Sequence, residues 1–185
     1  MTEEELLDRI KKEPAEFRIL FDQYYKSIFG YIFRRTADFD LAKDIVSETF
    51  RKAFLNIQHF SYRGISIKVW LYRIATNEAN LYFRYKKFVN RYVENYGFIH
   101  EQEFIQYIED DRKDIELELI KHEQFKLIVE QLKTMPVKYQ EVIALRFFET
   151  KSNREISDIL NMNEGTVKSL ISRGLEKLRG KCNEN

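Results

Sequence analysis

The stretch from Ser152 to Arg179, SNREISDILNMNEGTVKSLISRGLEKLR, constrains the fold more than any other part of the chain, because it specifies two short helices and the tight turn between them. Ser152 and Glu155 have capping-box spacing, in which the serine oxygen accepts the backbone N–H three residues on and the glutamate reaches back to the serine N–H. Ile156, Ile159 and Leu160 recur at i, i+3 and i+4 and give that helix one apolar face. Asn161 stands where the chain must leave the helix in a left-handed conformation, which asparagine tolerates. Asn163 is placed to cap the next helix, and Met162 before it to pack on Val167 as a hydrophobic staple. The pattern is a helix-turn-helix.

On the second helix Val167, Leu170, Ile171, Leu175 and Leu178 gather on one side. Thr166, Ser169, Ser172, Arg173 and Glu176 lie opposite, with Lys168 and Arg179 on the flanks. Short hydroxyls, an arginine and a carboxylate on an exposed helix can reach base edges in a major groove, while flanking cations neutralise phosphates. Gly165 to Lys181 holds five basic residues and one acidic, a local charge of +4. The plain alternative is a solvated face of a small bundle. Two coherent caps, the staple and the local charge together favour duplex DNA.

The net charge of +1 would argue against nucleic acid if charge were evenly spread over the 185 residues, but it is not. Phe60 to Tyr92 carries seven basic residues and one acidic, whereas Val93 to Glu118 carries two basic and nine acidic. Two nucleic-acid-facing modules around an acidic connector are the expectation. Cys182 is the only cysteine, so an internal disulfide is impossible and a reducing compartment is expected. His59, His100 and His122 lack metal-ligand spacing, and neither a metal nor any other cofactor is expected. The acidic, amphipathic N-terminus is unlike a signal peptide, and no long uncharged apolar run could insert in a bilayer, which points to the cytoplasm. A phosphate-cradling glycine loop, a nucleophile elbow and internal repeats are all missing from the sequence.

Proline occurs only at Pro14 and Pro136, and strand-type alternation is not evident over any useful length, so the fold class is all-α: two small helical domains joined by an acidic linker. A first helix is expected from about Ala15 to Arg35, with Phe17, Leu20, Phe21, Tyr24, Ile28, Tyr31 and Ile32 on one face. Asp40 is read as the cap of a helix from Leu41 to about Ile57, which buries Ala42, Ile45, Val46, Thr49, Phe50, Ala53 and Ile57. Its other side shows Asp44, Ser47, Glu48, Arg51 and Leu55. Gln58 to Ser66, QHFSYRGIS, break the pattern and form a loop rich in aromatic and basic groups. A third helix, IKVWLYRIATNEANLYFRYKK, has Trp70, Leu71, Ile74 and Ala75 as core and Arg73, Asn77, Asn80, Arg84, Lys86 and Lys87 as its polar edge. Interleaved rings and cations suit single-stranded nucleic acid, and the loop residues Phe60 and Tyr62 are better base platforms than Trp70. Domains are expected at 1–92 and 115–181, with the linker at 93–114; Pro136 fits the first position of a helix running to about Phe148.

The order of parts now matters. DLAKDIVSETFRKAF and WLYRIATNEAN in the first half, and MPVKYQEVIALRFFETKSNREISDILNMNEGTVKSLISRGLEKLR in the second, closely resemble the bacterial RNA polymerase sigma factors called extracytoplasmic-function sigma factors. The resemblance implies a non-enzymatic protein whose N-terminal domain, sigma-2, docks on core RNA polymerase and captures the opened −10 strand of promoter DNA. Its C-terminal domain, sigma-4, would read the −35 duplex. It assigns Asp44, Ser47, Glu48 and Arg51 to the polymerase, and Phe60, Tyr62, Arg63, Asn77, Asn80 and Arg84 to the −10 strand. Thr166, Lys168, Ser169, Ser172, Arg173 and Lys177 fall to the −35 element, and an anti-sigma factor is a further expected partner. Against the usual pattern, Asn161 replaces the commoner turn glycine, Ser157 a small apolar residue, and Leu170 an arginine. A stand-alone helix-turn-helix regulator is the alternative, although it leaves the basic-aromatic segment from Phe60 to Arg91 without a task. For a metal-dependent nucleic-acid enzyme, Asp44 and Glu48 could converge, but no third ligand is evident.

Overall fold

The computed structural model describes residues 2–62, 64–92 and 123–183, so Arg63, the expected linker at 93–114 and the start of the second expected domain, 115–122, lie outside the described residues. Thr2 opens the first helix, α1 (Glu3–Lys12), through a capping box with Glu5. Sequence reasoning passed over this helix; Leu6, Leu7 and Ile10 bury its inner face. A 3-10 turn at Pro14–Glu16 leads into α2 (Phe17–Thr36), which ends at Ala37 in the left-handed region with φ 44°. For α3 (Phe39–Asn56) the cap is Asp38, not Asp40. The backbone of Asp38 is extended, and its Oδ1 accepts the Leu41 N–H at 3.1 Å. Asp40 instead sits in the first turn, where its charge meets the positive end of the helix dipole. After the loop comes α4 (Ile67–Tyr92), and α2, α3 and α4 pack on one another.

All seven residues expected on the inner side of α3 are buried. In α4, Leu71 and Ala75 are core as expected, while Trp70 and Ile74 are only half-buried. Tyr72, Thr76 and Ala79 are buried as well, because α4 is covered from two sides.

Among the described residues the second half comprises α5 (Glu123–Lys133) and then α6 (Val137–Ile143), which widens into a π turn at Ala144–Phe148. Pro136, with ψ 139°, precedes the helix as its cap and does not occupy the first helical position. The π turn closes with the Glu149 N–H on the Ala144 carbonyl at 3.1 Å, and Thr150 follows at φ 51°. Then come α7 (Asn153–Leu160) and α8 (Glu164–Asn183). No strand occurs among the described residues. The two halves meet: α4 packs on α7, and α2 on α5 and the π turn, so apolar residues of both form one cluster.

Candidate nucleic-acid interface

The helix-turn-helix closes as its residue types require. Ser152 and Glu155 form the reciprocal capping box, and Asn161 takes φ 52°. Ser157 donates its hydroxyl to the Met162 carbonyl and ties the turn. Asn163 Oδ1 accepts the Thr166 N–H at 2.8 Å and the Thr166 hydroxyl at 2.9 Å. That hydroxyl proton is therefore committed to the cap, and only the oxygen of Thr166 remains as an acceptor for a base. Val167 and Leu170 are buried, so position 170 faces the core and not a phosphate. Thr166, Lys168, Ser172, Arg173 and Lys177 are exposed and Ser169 is half-exposed. Lys177 lies toward α6, its Nζ 6.0 Å from the centre of the Tyr139 ring.

Gly174 was missed by sequence reasoning. A Cβ there would stand 3.0 Å from Ile143 Cδ1 and 3.4 Å from Tyr139, so its lack of a side chain lets α8 lie close on α6 and aims the polar face outward. A glycine inside an otherwise apolar helical stripe was the available signal.

In the first half the residues expected at the −10 strand divide. Tyr62 is exposed, and so are Asn77 and Arg84. Phe60 is half-buried with its ring 4.5 Å from that of Trp70, which makes it a packing residue of the loop's base. Asn80 is engaged: its Oδ1 accepts from Arg35 at 2.9 Å and its Nδ2 donates to Glu141 of α6 at 2.6 Å. On α3, Asp44, Ser47 and Arg51 are exposed. Glu48 accepts from Arg51 through both oxygens at 2.7 Å and lies 3.6 Å from Lys52. The Arg51 hydrogen bonds hold its carboxyl below the usual carboxylate range. With both oxygens so used, Glu48 is poorly placed to share a cation with Asp44, and no cluster of metal-binding side chains occurs among the described residues. Leu55 and Phe54, 58% and 44% exposed, continue this face with apolar surface.

A partly buried polar seam joins the two halves, and sequence reasoning did not foresee it. Glu149, set by the π turn, accepts from Arg34 of α2 at 2.6 Å and from the hydroxyl of Tyr72 of α4. Burial, with the Glu149 charge beside it, pushes the Tyr72 hydroxyl far up. The Lys151 ammonium sits over the Tyr72 ring, and burial pulls that amine down. Arg35, 1% exposed, bonds to Tyr31 and Asn80 with the Glu141 carboxylate 3.6 Å away. Arg73 donates to the Asp158 carbonyl of α7. A signal existed at one position: Arg35 continues the apolar stripe of Ile28, Tyr31 and Ile32, and a cation on a buried stripe requires a partner.

Two helical modules, one with a capped helix-turn-helix and an exposed cationic face, the other with an aromatic loop and polar-edged helix, define a two-part nucleic-acid-binding protein. The family Sigma-70 region 2 matches residues 20–89, and Sigma-70, region 4, matches residues 125–178. The chain is 33% identical over 180 residues to the ECF RNA polymerase sigma factor SigW of Bacillus subtilis, covering 94% of this chain and 92% of that one. It is 29% identical to the ECF RNA polymerase sigma factor BldN of Streptomyces coelicolor, spanning 94% of its own length but 63% of BldN. In fold it is similar to the sigma factor RpoE of Bartonella quintana, solved with the anti-sigma factor NepR, at TM-score 0.64 and 21% identity over 89% of this chain and 95% of that one. The chain belongs to the extracytoplasmic-function (ECF) RNA polymerase sigma factors.

Proposed function

We propose that this chain directs core RNA polymerase to promoters, with residues 115–181 reading the −35 duplex, residues 1–92 binding polymerase and the opened −10 strand, and 93–114 joining them. The observation that carries this reading is the exposed set Thr166, Lys168, Ser172 and Arg173 on a helix whose opposite side is anchored in the core by Val167 and Leu170, in one chain with a second basic-aromatic module. Arg173 is the base reader, since an arginine facing the groove can pair with guanine through two hydrogen bonds. Lys168 and Lys177 serve phosphates, and Ser169 and Ser172 supply short-range contacts.

The exposed side of α3, with Asp44, Ser47, Glu48, Arg51, Phe54 and Leu55, is the polymerase-docking face. Charge with adjoining exposed apolar surface suits a protein partner better than solvent alone. Tyr62, Arg63 and Asn77 meet unpaired bases, Arg84 follows the backbone, and Phe60 holds the loop in shape. Asn80 reads a base only after Glu141 has left it, so in this reading the two halves separate when the chain engages polymerase and promoter. The protein does no covalent chemistry, works in the cytoplasm and is held in check by an anti-sigma partner. Among the described residues no helix is long and apolar enough to cross a membrane.

The test is reconstituted transcription on a fragment library with core polymerase, with and without the protein. Chain-dependent starts sharing upstream elements at −35 and −10 are expected. A stand-alone regulator would instead give tight, polymerase-independent binding to pseudo-palindromic sites, and that result would refute the proposal.

A further inference from the structure

We infer that α1 is a strut that sets the position of the Gln58–Ser66 loop, with Lys11 and Glu3 as its positioning residues; the inference rests on the proposed role of that loop at the −10 strand. The two ends of one helix hold the two ends of the loop. At the C-terminal end of α1, Lys11 Nζ donates to the Phe60 carbonyl at 2.7 Å, and Gln58 Nε2 donates to the Lys11 carbonyl at 3.2 Å. At its N-terminal end, Glu3 Oε2 accepts the N–H of Ile67, the first residue of α4, at 3.2 Å. The Phe60 ring on Trp70 adds an apolar anchor at the point where Lys11 holds the backbone.

Between these fixed points the loop presents its tip. Tyr62 is 46% exposed, and Gly64 takes φ 79°, a conformation that favours glycine. A ring that must stack on an unpaired base gains from having its backbone placed beforehand, because ordering a free loop at the moment of binding costs conformational entropy. The packing of α1 does not itself need these polar contacts. Leu6, Leu7 and Ile10 bury the helix whether or not Lys11 and Glu3 reach the loop. Lys11 and Glu3 are half-buried side chains that spend a charge on backbone groups of another segment, which a purely space-filling helix has no cause to do.

The strut can be separated from the loop reading beneath it. Lys11→Met keeps the stem of the side chain and removes the donor; Gln58→Ala removes the reciprocal bond; Lys11→Arg restores a charged donor; Tyr62→Ala reports on the loop itself. Each full-length variant is assembled with core polymerase, and permanganate reactivity at −10 is read beside polymerase association, −35 duplex binding and thermal unfolding. Lys11→Met and Gln58→Ala should each lower −10 opening by roughly three- to tenfold, the scale of one lost hydrogen bond, with the other readouts unchanged and Lys11→Arg restoring most of the loss. Wild-type opening by Lys11→Met and Gln58→Ala beside defective opening by Tyr62→Ala overturns the strut and leaves the loop reading standing. Normal opening by Tyr62→Ala overturns the loop reading and the strut with it. A parallel fall in polymerase association or unfolding temperature in both Lys11→Met and Gln58→Ala would make α1 a general support of the domain and also overturn the strut.

Discussion

Arg173 and Lys168 lie on one helix and are both exposed, yet their chemistry separates them. A guanidinium can make two directed bonds to a guanine edge, whereas an ammonium at the flank acts as a point charge on a phosphate. Arg173→Ala should therefore cost about 1–3 kcal/mol at −35 sites and relax preference at one base position. Lys168→Ala should weaken binding evenly across sequences and lower the salt slope by about one. Titration of both holoenzyme variants over a −35 library at several salt concentrations decides the matter, and identical uniform losses would remove the distinction. Gly174 makes a different kind of prediction. Valine there meets Ile143 and Tyr139 at once, and overpacking of about 1–3 kcal/mol outweighs the gain of roughly 0.5 kcal/mol in helix propensity. Gly174→Val should unfold at lower temperature and lose −35 binding even though it touches no DNA; thermal melts with unchanged midpoint would show that α8 stands off α6 more than the structure indicates.

Among the elements, α3 divides most clearly into a side committed to the core and a side facing solvent. Ala42, Ile45, Val46, Thr49, Phe50 and Ala53 bury one side, and Asp44, Glu48 and Arg51 lie on the other, outside the core. Asp44→Arg with Glu48→Arg should weaken association with core polymerase by about 2–5 kcal/mol if the pair is desolvated there, because like charges then face each other across an interface. The fold should stay intact, since the Glu48–Arg51 pair is solvent-exposed and such pairs contribute about 0–1 kcal/mol. A pull-down with core polymerase, with circular dichroism as the control for helicity, reads both halves of the claim. Undiminished capture by the doubly reversed protein would relocate the docking face. The π turn at Ala144–Phe148 is the opposite case, an element whose irregularity is the point. One extra residue in the turn carries Glu149 to Arg34 and Tyr72, groups that a regular helix would not present to it.

For the whole molecule the decisive feature is the seam between the halves. Glu149 bonds Arg34 and Tyr72, Glu141 bonds Asn80, and Arg73 bonds the Asp158 carbonyl, so polar groups of the first half are satisfied by the second. Removing one partner of a buried pair costs more than the pair contributes, because the other group is left unpaired. Glu149→Gln should weaken the association of the halves by about 1–3 kcal/mol, and the gain should appear as a larger open population. Fluorescence transfer between dyes on α3 and α8 should fall, and exchange of amide protons around Tyr72 should quicken. Unaltered transfer would mean that apolar contacts between α4 and α7 hold the halves together unaided.

What could be read from the sequence is what local chemistry decides. The capping box at Ser152, the left-handed Asn161, the Asn163 cap and the inner face of α3 each follow from residue type and spacing within a few positions, and each stands in the structure. Periodicity likewise separated the polar face of α8 from its core. The cap of α3 was displaced by two residues because Asp38 and Asp40 are equally good caps in isolation, and only the extended backbone at Asp38 selects between them. The start of α1 is written in the same local chemistry, since Thr2 and Glu5 carry the same box as Ser152 and Glu155. Phe60, Asn80 and Glu149 needed the tertiary structure. Whether an aromatic side chain stacks on a tryptophan or waits for a base, whether an asparagine is free or bonded to a glutamate 61 positions away, depends on which surfaces meet, and no spacing rule spans that distance.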